Sequence, residues 1–202
     1  DHIKDWDSLN FSEIFIRSSN IGTIKIFEDL SKKSFYNKIK KFGFGMSTNI
    51  SLPGEYSGNL NCISNLEKCN RIDLEYYSEY KNRRDFASTA IGQFITATNL
   101  QMAVAYCSIA NGGYLLKPKI IQKIEYNGYS QEFNQPIILR NNIKQSTSEL
   151  LLSILEETII DSDGTAINAY TSHVRIGGKT GTGEIVEIDR KQYSDKDFFS
   201  SF

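Results

Sequence analysis

Gly177-Gly178-Lys179-Thr180-Gly181-Thr182-Gly183, continued by Glu184-Ile185-Val186-Glu187-Ile188, is the stretch whose reading decides the fold. Four glycines surround one ammonium and two hydroxyls, and the run passes into a segment that alternates polar and apolar residues with the period of a strand. Bare backbone at the glycines can lie against a ligand, while a cation and hydroxyl donors can fix an anion. A nucleotide-binding P-loop also ends in Gly-Lys-Thr, but it needs a glycine five positions before Gly178, where His173 stands. It must also open a helix, and a strand pattern follows instead. Phosphate-loop chemistry fails on both counts. A glycine-rich hairpin with a solvated lysine remains the plain structural alternative on local grounds.

Around that stretch the composition sets bounds. The 202 residues suffice for one substantial core, and 40% hydrophobic with 23% charged residues is ordinary for a globular domain. A net charge of −1, from 23 basic and 24 acidic residues, gives no cationic footprint for nucleic acid. Lys32-Lys33 and Lys38-Ile39-Lys40-Lys41 read as the wet faces of helices. Cys62, Cys69 and Cys107 make no CxxC pair, and His2 and His173 have no ligand spacing around them, so neither metal nor cofactor is expected. A Cys62–Cys69 disulfide stays open, and Cys107 reads as a small core residue on a helix face. No apolar run reaches the length of a membrane span and no signal peptide opens the chain. Asp1 is not an initiator Met, and Phe198–Phe202 reads as strand material cut at its end, so the chain is expected to be a fragment.

In order along the chain, Asn10 to Arg17 carries a helix start signal. Asn10 caps, Glu13 completes a capping box, Leu9 can staple to Ile14, and Phe11, Ile14 and Phe15 form the apolar face. Ser18 falls in line with that face, and Ser18-Ser19-Asn20 breaks the pattern as a helix–helix junction would. Helical periodicity resumes over Ile21–Leu30, and a third helix runs from a Ser34 cap to a stop at Gly43. Phe42–Gly45 and Leu52–Glu55 are turn-rich. Asn59–Asp85 reads as a long surface excursion with a weak helical signal at Leu74–Tyr80. Thr98 and Gln101 box the clearest helix, with Leu100, Ala103, Val104, Cys107 and Ala110 on its predicted inner face. Lys119–Tyr126 reads as a strand, Asn127-Gly128 as a hairpin turn and Gln131–Arg140 as a second, irregular strand. Ser146 and Glu149 cap a helix with Leu151, Ile154, Leu155 and Thr158 on one face. Asp161–Thr165 turns, Glu184–Ile188 is strand, Asp189–Asp197 is a polar turn and Phe198–Phe202 is strand again. The order predicts an α+β domain with an antiparallel sheet packed by helices, helical over about 9–113 and strand–helix–strand over about 114–202.

Several of these stretches, in this order, resemble the penicillin-recognising serine acyl-transferases. Lys179-Thr180-Gly181-Thr182 is similar to their Lys-Thr-Gly strand. Trp6-Asp7 followed by Arg17-Ser18-Ser19-Asn20-Ile21-Gly22 resembles the Ser-x-Asn motif in its transpeptidase form. Phe42-Gly43-Phe44-Gly45, Leu52-Pro53-Gly54-Glu55 and Ser57-Gly58 resemble the connector of that domain. Ala90-Ile91-Gly92-Gln93, Thr98-x-x-Gln101-Met102-Ala103 and Ala110-Asn111-Gly112-Gly113 resemble the segment bordering its cleft, and Gly164-Thr165-Ala166 completes the series. Together they look like a class B penicillin-binding protein, over nearly the whole chain. Asn99 stands where that family usually has Pro, and 59–85 matches none of its patterns. The family's Ser-x-x-Lys motif should precede Ser18 by several tens of residues, and none of the seventeen residues before Ser18 forms it.

The resemblance implies a penicillin-binding transpeptidase or serine β-lactamase-like fold, incomplete at both ends: the carboxy-terminal portion of one peptidoglycan D,D-transpeptidase domain. Such enzymes cross-link peptidoglycan stem peptides through an acyl-serine, and β-lactams stop them at that stage. By the same resemblance Ser18 passes a proton toward the leaving nitrogen with Lys179, Asn20 binds the substrate amide, and Thr180 and Thr182 donate to its terminal carboxylate. Gly181 lets the substrate backbone lie along the strand edge, the Thr182 N–H is the second oxyanion donor, and Ser19, Gly92 and Gln93 line the substrate site. The implied setting is the bacterial inner membrane, with a single amino-terminal anchor outside this stretch, a periplasmic or extracellular catalytic domain, and divisome or elongasome proteins as partners. Without its nucleophile motif the chain alone is expected not to acylate. A β-lactam sensor, a serine β-lactamase-like domain and a non-catalytic scaffold are the alternatives.

Overall fold

The computed structural model describes residues 6–60, 87–93, 95–187 and 192–202, gathered into two units that interleave along the sequence. One unit holds the described residues of Asp1–Ser31, Tyr77–Phe94 and Leu150–Phe202, and the other those of Lys32–Tyr76 and Ile95–Glu149. The expected excursion beyond Leu60, its helical signal at Leu74–Tyr80 and the Cys62–Cys69 pairing lie outside the described residues.

In the first unit, α1 spans Phe11–Ile16 and its capping box forms as predicted. Asn10 Oδ1 accepts from the Glu13 N–H at 3.0 Å, and Glu13 Oε2 accepts from the Asn10 N–H at 2.7 Å. The buried side chains are Ile14 and Ile16, whereas Phe11, expected to face inward, is exposed and tilts against Phe15 at 5.2 Å between ring centroids. α2, Asn20–Glu28, ends before Leu30, and Ile21, placed on its inner face by periodicity, is 70% exposed. α1 and α2 meet where Ile14 covers Gly22. A Cβ at Gly22 would come within 2.7 Å of Ile14 Cγ1, so bare backbone lets the two helices approach.

The long helix α5, Gln145–Ile160, belongs to this unit from Leu150 onward and there buries Ile154, Leu155, Thr158 and Ile159. Ser146 lies inside this helix rather than capping it, and the Lys144 carbonyl accepts from the N–H groups of Thr147 and Ser148. The Asp161–Thr165 turn and a 3₁₀ turn at Ile167–Ala169 lead to β5, Gly181–Glu187. β5 pairs antiparallel with β6, Gln192–Ser201, which sets Gly181 opposite Ser201 and Thr182 opposite Ser200. The strand thus opens at Gly181 and not at Glu184. β6 likewise begins inside the polar stretch expected to turn, because ladder bonds to a neighbouring strand outweigh local β-propensity.

In the second unit, α3, Lys32–Lys41, starts two residues before the predicted Ser34 cap, leaving Ser34 inside the helix. Lys38, Lys40 and Lys41 fill its last turn, where the macrodipole favours cations, and Gly43 follows with φ +94°. Glu55 holds the next connector: its carboxylate accepts from the Ser47 hydroxyl and from the N–H groups of Thr48 and Asn49, at 2.7 and 3.1 Å for the latter two. The Ser47 bond first, and then those to Thr48, keep Glu55 below the usual carboxylate range.

Thr98 and Gln101 box α4, Asn99–Ala110, as predicted, but its buried face is Gln101, Ala105 and Ser108. Cys107, expected in the core, is exposed. The inward side is polar because it meets backbone: Gln101 Nε2 donates to the carbonyls of Met46 (2.9 Å) and Ser57 (2.7 Å), and Ser108 Oγ accepts from Asn142 Nδ2 at 3.1 Å. The region 119–132 gives the hairpin β2, Lys123–Tyr126, and β3, Tyr129–Glu132, turning at Asn127 and Gly128 with φ of 47° and 81°. The irregular second strand divides into two. Its end is β4, Ile138–Asn141, which pairs with β1, Tyr114–Leu116, a strand too short to show period. The described strands therefore form three two-stranded antiparallel ladders, and the α+β antiparallel class stands.

Gln101 offers a direct test. Gln101→Leu should unfold at lower urea, by about 1–3 kcal/mol, since it strips buried carbonyls of their donor. An unchanged midpoint would show that water replaces the amide.

Candidate active site

Ser18 owes its placement to how α1 ends. The Ser18 N–H donates to the Phe15 carbonyl at 3.2 Å and the Ser19 N–H to the Ile14 carbonyl at 3.0 Å, the paired bonds of a Schellman closure. Ser18 sits at its left-handed position with φ +53°, where glycine is the usual residue. A non-glycine residue held there costs about 1–3 kcal/mol, and such strain gathers at functional sites. Ser19 follows as the cap of α2, its Oγ accepting from the Gly22 N–H at 3.0 Å. Asn20 is the first residue of α2 and exposed.

Lys179 is placed from the other end of the chain. The Gly178 N–H donates to the Leu155 carbonyl at 3.1 Å. The Thr158 hydroxyl, fully buried, lies 2.8 Å from the Leu155 carbonyl oxygen and 2.6 Å from that of Gly178, donating between them. This grip fixes the backbone just before Lys179, and the side chain then reaches Ser18: Nζ donates to Ser18 Oγ at 2.6 Å and to the Thr180 carbonyl at 3.0 Å. Burial holds the Lys179 ammonium below the ordinary lysine range. An amine that yields its proton more readily, hydrogen-bonded to a hydroxyl, has the chemistry to exchange a proton with it.

Thr180 adds a second hydroxyl, donating to Thr165 Oγ1 at 2.9 Å. Thr182 is exposed on β5, beyond Gly181. Gly92 and Gln93 form a turn of their own, their N–H groups donating to the Thr89 and Ser88 carbonyls at 3.0 Å each, with Gly92 at φ +93°. Ser18, Lys179 and Thr180 are therefore joined by hydrogen bonds, Ser19 and Asn20 stand at the same corner through the backbone, and Gly92 and Gln93 are bonded within their own turn.

Beside Ser18, the Arg17 guanidinium lies over Trp6, 3.9 Å from the ring centroid, and reaches Asp163 at 3.7 Å. Sequence reading did not assign roles to Arg17, Thr158 or Thr165. A threonine inside an otherwise apolar helical stripe was the available signal for Thr158.

The glycines of the run serve the protein's own packing. A Cβ on Gly177 would approach the Glu156 nitrogen and Leu155 to 3.2 Å, one on Gly178 would meet the Phe202 ring at 2.3 Å, and one on Gly181 the Ser201 hydroxyl at 2.6 Å. At all three, bare backbone lets neighbouring elements close in.

The chain matches the family model described as the penicillin-binding protein transpeptidase domain across residues 1–202. It is 31% identical to penicillin-binding protein PbpB of Mycolicibacterium smegmatis over 94% of its own length and 28% of that protein's. With stage V sporulation protein D of Bacillus subtilis it shares 31% identity over 88% of its length and 25% of that protein's. Among solved structures, penicillin-binding protein 3 of the tuberculosis mycobacterium in complex with ampicillin superposes with a TM-score of 0.78 at 26% identity, covering 95% of this chain and 40% of that one. The same protein with aztreonam gives 0.77. The chain thus spans about a third or less of the curated relatives it matches.

Two outcomes follow from the corner and the lysine. Ser18→Gly should leave the denaturation midpoint at or above that of the parent chain, whereas Ser18→Val should lower stability by about 1–3 kcal/mol at this left-handed position; the reverse order would refute the strain. Lys179 should titrate below the 10.5 of a free lysine when followed by side-chain NMR. Between its folded pKa and that value the unfolded chain binds more protons, so stability rises with pH there, and the gain should vanish in Lys179→Met.

Proposed function

We propose that this chain, which belongs to the penicillin-binding protein transpeptidase family, builds one wall of a cleft that binds a peptide carboxylate and moves a proton during acyl transfer. The observation that carries the reading is the 2.6 Å bond from Lys179 Nζ to Ser18 Oγ, joining groups 161 residues apart in sequence. The lysine's lowered pKa suits it to exchange a proton with the Ser18 hydroxyl, which would deliver it to the amine leaving from a stem peptide's terminal D-alanine. Asn20, on the first turn of α2, would hold the substrate's amide.

Thr180 and Thr182 would take the terminal carboxylate. Gly181 and Thr182 offer the extended backbone along which a peptide can add as a strand, with the Thr182 N–H as one oxyanion donor. Ser19, Gly92 and Gln93 complete the proposed substrate site. The acylated serine would come from the Ser-x-x-Lys motif of the full-length protein. β-Lactams would enter the same cleft as mimics of the donor peptide, in keeping with the ampicillin and aztreonam complexes of the structural relative. Peptidoglycan cross-linking at the bacterial cytoplasmic membrane, through a domain anchored by an amino-terminal segment and assembled with divisome or elongasome proteins, is the role this reading gives the whole protein.

Fluorescent penicillin decides it. Full-length protein should label covalently, and Lys179→Ala should label at least about 10²-fold more slowly, as removal of a general acid–base group does. Equal labelling of the two would reject the role given to Lys179.

A further inference from the structure

Thr165 stands outside every role assigned so far, yet its hydroxyl is bonded to a group of the site. Its Oγ1 lies 2.9 Å from Thr180 Oγ1, and its side chain is exposed, so it fills no core space. Its backbone, in contrast, is held from both sides. The Thr165 N–H donates to the Ile16 carbonyl at 3.3 Å, two residues before Ser18, and the next residue, Ala166, donates to the Thr158 carbonyl at 3.0 Å. The turn leading to it is closed by the Gly164 N–H on the Asp161 carbonyl at 2.9 Å and the Asp163 N–H on Asp161 Oδ1 at 2.7 Å. Gly164 cannot take a side chain without cost, since a Cβ there would lie 2.4 Å from the Thr158 carbonyl oxygen. An exposed hydroxyl on so constrained a backbone serves what it touches.

We infer that Thr165 is a positioning residue for the Thr180 hydroxyl, setting affinity for the carboxylate end of the ligand without touching the reacting atoms. A hydroxyl carries one proton and two acceptor sites, and its proton rotates to suit its neighbours. In the structure Thr180 donates to Thr165. When a carboxylate arrives, the pair reverses: Thr165 donates to Thr180, whose own proton turns to the carboxylate oxygen. Thr165 then fixes the Thr180 rotor and polarises its O–H, as bonded hydroxyls in series do. The inference rests on the proposed function, and its chemistry is that of a carboxylate-bearing peptide or β-lactam.

The test uses full-length protein, as wild type, Thr165→Val and Thr165→Ser, acylated by a penicillin with its free carboxylate and by the methyl ester of the same penicillin. The concentration dependence of each rate separates the half-saturating concentration from the limiting rate. Thr165→Val should raise the half-saturating concentration for the free acid by about three- to ten-fold, the worth of one hydrogen bond, with the limiting rate and both ester constants unchanged. Thr165→Ser should restore the wild-type value. Equal losses for acid and ester, a drop confined to the limiting rate, or failure of serine to rescue would overturn the inference. If wild type acylates and Thr165→Val matches it for the free acid, the inference alone falls. If wild type takes no penicillin, the proposed function falls and the inference with it.

Discussion

The buried hydroxyl of Thr158 is the constraint on which the site depends. It lies between the carbonyl oxygens of Leu155 and Gly178, tying the last turns of α5 to the residue before Lys179. The carbonyl of the same residue receives Ala166, which fixes the turn carrying Thr165. One side chain and its own backbone therefore register a helix, a turn and the entry to a strand. Removing a buried partner of this kind exposes the full desolvation cost of the groups left behind, about 1–3 kcal/mol each, so this junction is expensive to disturb. Ile16 closes the arrangement from the other end of the chain, accepting from Thr165 and preceding Ser18 by two residues.

The glycines of the opening stretch change meaning in this light. By composition alone they suit backbone laid bare for a ligand. In the structure Gly177 lies against α5, Gly178 against Phe202 and Gly181 against Ser201. Lys179 and Thr180 make side-chain hydrogen bonds while the glycines let the frame close around them. Glycines in such a motif suit both close packing and a ligand-facing backbone, and sequence alone does not separate the two.

What was legible followed from short-range rules. The two capping boxes formed at the named residues because each needs only a side chain and an N–H three positions away. The Asn127-Gly128 hairpin was equally local. Ser18, Ser19, Asn20, Lys179 and Thr180 were named from motif order, and the Ser18–Lys179 bond joins the two motifs. What failed depended on distant partners. α4 turns Gln101 and Ser108 inward because carbonyls at Met46 and Ser57 and the amide of Asn142 wait there, so an apolar-period rule picked Cys107 and missed the polar face. β1 has three residues, too few to show a period, and β6 extends through a polar stretch because β5 pairs with it. Thr165 carries no role that its sequence neighbours reveal, since its partner lies 15 positions away.

The left-handed corner at Ser18 also restricts what can happen there over many generations of mutation. Two main-chain bonds set its backbone geometry without help from any neighbouring side chain. At position 18 itself the tolerated set is narrow, because glycine and, less readily, asparagine or aspartate are the residues that visit this backbone region routinely. Serine is held there against that preference and keeps a hydroxyl in front of Lys179. Folding itself fixes that torsion, so the backbone needs no further ordering for the Ser18 hydroxyl to meet Lys179.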